Sequence, residues 1–163
     1  MYQARLFATR HARAYEAVYH FVEPIVISFL NGLNAIAGNR LDGVITFLEK
    51  HSKGALFDCK MCGNCVLSST GMTCPMNCPK TIRNGPCGGV RADGNCEVKP
   101  DMKCVWVQAW DGASRMKDGQ KIHTIQFAVD RSHQGTSAWI RMAEEQRTDQ
   151  AKNNNDKRSD DRD

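Results

Sequence analysis

Cys59-Lys60-Met61-Cys62-Gly63-Asn64-Cys65 opens the cysteine-rich stretch that decides how this chain of 163 residues folds. All eight cysteines lie in this one stretch, and the residues before and after it contain none. They are Cys59, Cys62, Cys65, Cys74, Cys78, Cys87, Cys96 and Cys104. The C-x2-C-x2-C spacing of the first three is typical of thiolates that bind one [4Fe-4S] cluster, and eight thiolates are enough for two clusters. The sequence therefore predicts a metal-binding core.

Spacing alone leaves open which cysteines share a site. The first three cysteines need one later thiolate to complete a cluster, and the remaining four would bind a second cluster. Pro79 follows Cys78 as proline follows the last ligand of the bacterial ferredoxin motif. However, the eight residues between Cys65 and Cys74 depart from the ferredoxin spacing.

Structural zinc is the main alternative. One tetrahedral site would use four cysteines, and a second site would be completed by a histidine. These two sets are Cys59, Cys62, Cys74 and Cys78, and Cys87, Cys96 and Cys104. Cys65 would then be surplus, and the five histidines lack the short paired spacing typical of zinc ligands. Two iron–sulfur clusters are therefore favoured over one cluster with a zinc site, and over zinc alone.

The cysteine stretch also has the composition of a loop. Glycines and prolines interrupt the chain repeatedly from Gly54 onward, and helical periodicity is lost there. A loop of about fifty residues is unusual in a compact domain, but metal crosslinks can order such a chain. Asp93-Gly94 indicates a tight turn in a small hairpin between Val90 and Val98. The apolar run from Val105 to Trp110 is expected to cover the metal site.

Basic residues near the cysteines are expected to compensate the negative charge of the clusters and to raise their reduction potential. They are Lys60, Lys80 and Arg83. The sequence contains no glycine-rich nucleotide or phosphate loop and no obvious catalytic group. A one-electron carrier needs neither an acid nor a base, so the sequence indicates an electron carrier that is not catalytic alone.

Helical periodicity dominates the first fifty residues. We expect a helix that ends or kinks at Glu23 before Pro24, a second from Ile25 to about Ala37, and a third from Leu41 to Lys50. Their aromatic-rich faces pack on each other or on a partner. The fold class is thus a small α domain with an irregular, metal-stabilised core.

The C-terminal third carries weaker signals. Residues 121–129 alternate in a partly strand-like way, and residues 137–146 predict a short helix. From Arg147 the composition is almost entirely polar and predicts a disordered tail. The expected division is a helical region (1–53), a cysteine-rich metal domain (54–110), an extension (111–146) and the tail (147–163).

Charge and hydropathy point to a cytoplasmic protein. The net charge of +4 includes no long basic run, so nucleic-acid binding is not expected. No secretory signal pattern is present, and the most apolar stretch, Ile25 to Ala37, is too short to span a membrane. In a reducing compartment, clustered cysteines are metal ligands more often than disulfides.

The cysteine stretch also resembles a known family. The residues that carry the resemblance are Cys59-Lys-Met-Cys62-Gly-Asn-Cys65, Cys74-Pro75, Cys78-Pro79-Lys80, Arg83-Asn-Gly-Pro-Cys87-Gly-Gly89, Gly94-Asn-Cys96-Glu-Val98 and Cys104-Val-Trp106. Over about residues 54–110 the chain is similar to the methylenetetrahydrofolate reductase C-terminal-like domain. That domain occurs fused to a larger chain or as a separate small subunit beside a flavin-containing reductase.

The resemblance implies that all eight cysteines are ligands of iron–sulfur clusters, with zinc as the alternative cofactor. It also implies an accessory, electron-transferring subunit of a flavin-dependent methylenetetrahydrofolate reductase in one-carbon metabolism. A part in a corrinoid-dependent methyl-transfer complex, or a purely structural zinc module, is the alternative. The chain is too short for a (β/α)8 barrel of about 250 residues, so it is not expected to reduce folate by itself.

Overall fold

The computed structural model describes residues 2–160, without the side chains of residues 35–37, 39 and 154–160. Most of this part of the chain is helical. The helices are α1 (Tyr2–Arg10), α2 (Ala12–Ala37), α3 (Asp42–Phe57), α4 (Val105–Arg115) and α5 (Ala138–Asp160). The long segment between α3 and α4 contains short 3-10 turns and two isolated bridges, with no strand among the described residues. The expected pairing of N-terminal helices with an irregular cysteine-rich segment is confirmed.

The predicted helix end at Ala37 is confirmed, but the N-terminal helices differ from the prediction at two other places. The chain breaks at His11, where no glycine or proline marks it, and Ala8 and Ala12 on either side are completely buried in the main core. The helix end predicted before Pro24 is wrong, because α2 continues through it. Pro24 is exposed, so water can satisfy the carbonyl that loses its partner. Ile27 and Leu30 pack against α5 and hold the second half of α2 in place.

Helix α3 leads directly into the first cysteine. It runs seven residues beyond the predicted end at Lys50 and stops at Asp58, which has left-handed backbone angles. The Asp58 N–H donates to the Gly54 carbonyl (3.0 Å), and the Cys59 N–H donates to the Lys53 carbonyl (3.3 Å). This capping arrangement satisfies the last carbonyls of the helix and turns the chain into the cysteine segment.

The main hydrophobic core joins the N-terminal helices to the cysteine segment. Its buried residues come from α1, α2, α3, the segment around Cys74 and the end of α4. They are Ala8, Ala12, Phe57, Leu67, Met72, Cys74 and Met116. A metal-binding segment that shares its core with helices can be positioned by ordinary apolar packing as well as by ligand bonds.

Helix α4, which contains the predicted apolar run, packs on part of the cysteine segment. Val105, Trp106 and Ala109 are buried, and the Trp106 indole N–H donates to the Ile82 carbonyl (3.0 Å). The backbones of Gly71 and Gly112 touch, since a Cβ atom built on Gly112 would lie 2.1 Å from the Gly71 carbonyl oxygen. The glycine pair thus fixes the loop between Cys65 and Cys74 against α4.

The predicted turn at Asp93-Gly94 is present. Gly94 has a φ of 77°, and Val90 and Cys96 form an antiparallel bridge across the turn. The strand-like alternation over residues 121–129 is wrong as a paired strand. That region begins with a 3-10 turn (Gly119–His123) and continues as an extended segment, on which Phe127 is 92% exposed. The apolar residues Ile125 and Phe127 face the surface, and their alternation with polar neighbours resembled the pattern of a strand with one buried face.

Helix α5 is much longer than predicted. It continues to Asp160, so the tail expected to be disordered from Arg147 is helical as far as that residue, and residues 161–163 lie outside the described part. The segment contains no glycine or proline after Gly135, and Glu, Gln, Lys and Arg are good helix formers, so a helix anchored at its start can continue into solvent. Within residues 2–160, no helix is long and apolar enough to cross a membrane.

Candidate metal centre

Four cysteines line one small cavity beneath α3 and α5: Cys59, Cys62, Cys65 and Cys74. The first three come from the loop that follows α3, and Cys74 precedes the 3-10 turn Pro75–Asn77. Cys62 and Cys74 are buried, whereas Cys59 and Cys65 are half-buried. The structure therefore brings Cys74 to the three closely spaced cysteines, a choice that spacing had left open. We call these four residues the first cysteine set.

The thiols of the first set influence one another electrostatically. Burial raises the pKa of Cys74 to about 12, and the neighbouring charges of Cys59, Cys65 and Cys62 add to the effect. Burial likewise raises the pKa of Cys59, although a hydrogen bond from the Met61 N–H lowers it in part. Four thiolates cannot share this cavity without compensating positive charge. A metal ion or cluster would supply that charge and hold all four groups deprotonated.

No three cysteine sulfurs among the described residues lie within 4.8 Å of one another. In residues 2–160, the only three His, Cys, Asp or Glu ligand atoms that all lie within 4.8 Å of one another belong to Glu16, His20 and Asp118. Any three cysteines therefore include at least one pair of sulfurs farther apart than that. Four sulfurs bound to one zinc ion at about 2.3 Å would lie about 3.8 Å apart. A four-iron cube separates its thiolates more widely, since each thiolate binds a different iron.

The loop around the first set offers backbone donors and is held from outside. The Met61 N–H lies 3.3 Å from the Cys59 sulfur. Gly63 has a φ of 68°, and a Cβ atom there would lie 2.5 Å from the His133 carbonyl oxygen, so the cysteine loop and the segment at His133 approach closely at this glycine. The Gly135 N–H donates to the Met61 carbonyl (2.7 Å). The segment before α5 thus packs on the cysteine loop, a contact that no sequence pattern had indicated.

Asn64 is a second connection that the sequence analysis missed. Its side-chain amide donates to the Asp130 carbonyl (3.1 Å) and accepts from Arg141 on α5 (2.9 Å). Its own carbonyl accepts from Arg83 (2.7 Å). Arg83, expected to compensate cluster charge, lines the cavity but donates to the carbonyls of Asn64 and Phe127. Arg83 therefore ties three segments together around the first set, while its buried Nη1 has no hydrogen-bond partner among the described residues.

Two buried cations lie at the first set, and neither was expected. Lys53, on α3, places its Nζ 3.7 Å from the Cys65 sulfur and 2.7 Å from the Glu49 carboxylate. Arg5, on α1, is 2% exposed, and its Nε and Nη2 have no hydrogen-bond partner among the described residues. Burial lowers the pKa of the Arg5 guanidinium, and the charges of Tyr2, Asp58 and Cys74 offset that effect only in part. Buried positive charge without a full set of partners suits an anionic group bound by these cysteines.

The other four cysteines lie in the second half of the segment: Cys78, Cys87, Cys96 and Cys104. We call them the second cysteine set. Lys80, two residues after Cys78, lies with its Nζ 3.9 Å from the Cys87 sulfur and also pairs with Glu97, which follows Cys96. The Asn95–Lys103 bridge and the bond from the Cys104 N–H to the Gly94 carbonyl (3.0 Å) bring Cys104 beside Cys96. These contacts place Cys104 beside Cys96 and Lys80 close to Cys87.

The remaining predicted residues have other contacts. Lys60 pairs with Asp58 (2.8 Å) at the surface, and His51 bonds to the Phe47 carbonyl on an exposed face of α3. All eight cysteines are free thiols in the structure, with no disulfide among them. Glu16, which is buried, accepts the N–H groups of Lys117 and Asp118 and so anchors the turn after α4 to α2.

These features define the class of protein: a small helical protein built around a loop that carries two sets of four cysteines. A family model described as the C terminus of methylene-tetrahydrofolate reductase matches residues 39–132, which is more than half of the chain. The chain belongs to this family. No curated protein and no solved structure matches it.

Proposed function

We propose that this chain is an accessory electron-transfer protein that binds two [4Fe-4S] clusters and serves a flavin-containing reductase of the methylenetetrahydrofolate reductase type. The observation that carries the proposal is the first cysteine set. Four cysteines line one cavity, and the first three have the C-x2-C-x2-C spacing typical of [4Fe-4S] ligands. A [4Fe-4S] cluster accepts and releases a single electron without a proton-transfer group in the protein.

The donor set of the first site suits such a cluster. Four thiolates provide one ligand for each iron, and the Met61 N–H adds a hydrogen bond to a cysteine sulfur. Lys53 and Arg5 place positive charge beside the ligands. The second cysteine set would bind the second cluster, with Lys80 beside Cys87. The family membership supports an association with a methylenetetrahydrofolate reductase.

An exposed apolar surface on α2 supports a protein partner. It consists of Val18, Phe21, Ile25 and Phe29, which recur at helical spacing and are all more than half exposed. We call it the α2 surface. A surface helix of a monomeric protein usually directs such a stripe towards its own core. We therefore assign the α2 surface to docking of the reductase.

The α2 surface is continuous with the first cysteine set. An apolar cavity of about 240 Å³ is lined by Val18 of this surface and, deeper, by Lys53. Lys53 also lines the cavity of the first set and contacts Cys65. A reductase bound at the α2 surface would therefore lie close to the first cluster, which is the arrangement that electron transfer to its flavin requires.

Anaerobic co-purification tests this function. Tagged chain should capture a flavin-containing reductase, and the complex should pass electrons from dithionite-reduced clusters to the bound flavin, seen as bleaching of the flavin absorbance. Capture of a corrinoid protein and not of the reductase would show that the proposed partner is wrong. A colourless preparation with stoichiometric zinc would refute electron transfer altogether.

A further inference from the structure

The buried ion pair of Glu49 and Lys53 connects α5 to the first cysteine set. Glu49 is 1% exposed and Lys53 is 5% exposed. One carboxylate oxygen of Glu49 accepts from Lys53 (2.7 Å), while the other accepts from the Ser137 hydroxyl and weakly from the Trp139 N–H. Both oxygens are therefore occupied, and the carboxylate is fixed by the first turn of α5.

Three neighbouring groups restrict the position of the Lys53 ammonium. The ammonium lies 4.6 Å from the centre of the Trp139 ring, in addition to its bonds to Glu49 and the Cys65 sulfur. These contacts hold the ammonium beside Cys65.

A buried ion pair is weak evidence for stability, because removing two charges from water costs much of what their attraction provides. An ammonium group that donates a hydrogen bond to a cluster ligand affects the reduction potential of the cluster instead. Reduction adds one negative charge to the cluster, and a nearby ammonium stabilises that charge, so the reduction potential rises. The interaction is strong here because water is nearly excluded.

The second cysteine set also has a lysine near one of its sulfurs, but the charge of this lysine is more strongly screened. Lys80 lies at a similar distance, 3.9 Å, from the Cys87 sulfur. Its side chain is 39% exposed, and it is paired with Glu97, whose side chain is 47% exposed. Water and the carboxylate both screen its charge. The two sets thus receive unequal stabilisation of the reduced state.

On the basis of the function proposed above, we propose that Lys53 makes the cluster of the first set the higher-potential cluster of the two. Glu49 is a positioning residue, since it holds the ammonium against the Cys65 sulfur. The first cluster then fills with an electron before the second. Because Lys53 also lines the cavity beside the α2 surface, this cluster is the one from which the partner's flavin takes electrons.

The test is a redox titration of anaerobically purified protein, followed by electron paramagnetic resonance. Wild-type protein should show two reduction steps. Lys53→Met should move the higher step to a more negative potential and leave the lower step in place, whereas Lys53→Arg, which keeps the charge, should largely restore it. The matched control, Lys80→Met, should cause a smaller shift, confined to the lower step.

Lys53→Met leaves Glu49 buried without its partner and can destabilise the fold. The double variant Glu49→Gln/Lys53→Met removes both charges and should show the same negative shift. Unchanged steps in either variant with full iron content would overturn the inference, and so would an equal shift in Lys53→Arg.

A variant outside the ion pair tests the order of the two clusters independently. Cys87→Ser, which disables the second set, should retain the higher-potential step, and retention of the lower step would overturn the inference. Protein without iron would refute the proposed function itself, whereas two clusters with potentials insensitive to Lys53 would refute only this inference.

Discussion

Replacing Gly71 with alanine should detach the loop between Cys65 and Cys74 from α4. Gly71 has a φ of 60°, and its added Cβ atom would lie 2.1 Å from the Ala109 carbonyl oxygen and 2.5 Å from the Ala113 nitrogen. Real Cβ atoms essentially never approach another atom closer than 3.0 Å. Both obstacles are helix backbone, so α4 and the loop must separate by about 1 Å to accept the methyl group.

The cost has two parts. A residue with a side chain in the left-handed conformation costs about 1–2 kcal/mol, and overpacking against backbone that cannot rotate away adds about 1–3 kcal/mol. Gly135→Ala is the matched control, since Gly135 has a φ of 87° and nothing within 4 Å of the Cβ position. The control should therefore lose only the backbone part.

Thermal unfolding of the purified, metal-loaded variants measures the difference. A loss of 1 kcal/mol lowers the midpoint by about 2–4 °C in a chain of this size. Gly71→Ala should therefore melt about 2–12 °C below Gly135→Ala, and it should lose iron first from the site that contains Cys74. Equal midpoints for the two variants would refute the close contact between the loop and α4.

Three further changes test other parts of the account. Cys74→Ser should reduce the iron content from about eight to about four atoms per chain, and a variant that keeps all its iron would show that Cys74 is not a ligand. The pKa of the metal-free Cys74 thiol is raised to about 12, so a metal must displace the thiol proton at neutral pH. Loss of the cluster to a chelator should therefore become faster as the pH falls. A rate of loss that does not depend on pH would contradict this. Phe21→Glu combined with Phe29→Glu should abolish capture of the reductase without changing the iron content. Phe127→Glu, at a more exposed site elsewhere, should leave capture intact. Capture by the double variant would exclude the α2 surface as the docking site.

The cysteine spacing was sufficient to identify the centre of the fold. Eight cysteines confined to one stretch predicted that the segment would form a common site region, and helical periodicity predicted the helices before it. Spacing could not show which later cysteine joins the first three. That choice depends on the 3-10 turn after Cys74 and on the contact between Gly71 and Gly112, which are 41 residues apart in the sequence.

The charges at the first set could not be predicted for a related reason. Glu49 and Lys53 have the i, i+4 spacing that usually marks an exposed pair on a helix surface. Only the packing of α5, whose start is tied to Glu49 through Ser137, makes the pair buried. Pro24 predicted a helix end that is absent, because the helix-breaking effect of proline is local and the packing of α2 on α5 overrides it.

The central claim is that sulfur-bound iron clusters organise the middle of this chain. The most direct test is quantification of iron, acid-labile sulfide and zinc in protein purified without oxygen, together with its visible spectrum. The account predicts a brown protein with about eight irons and eight sulfides per chain, bleached by dithionite. A colourless protein that contains only zinc, or one that stays folded with no metal at all, would contradict it.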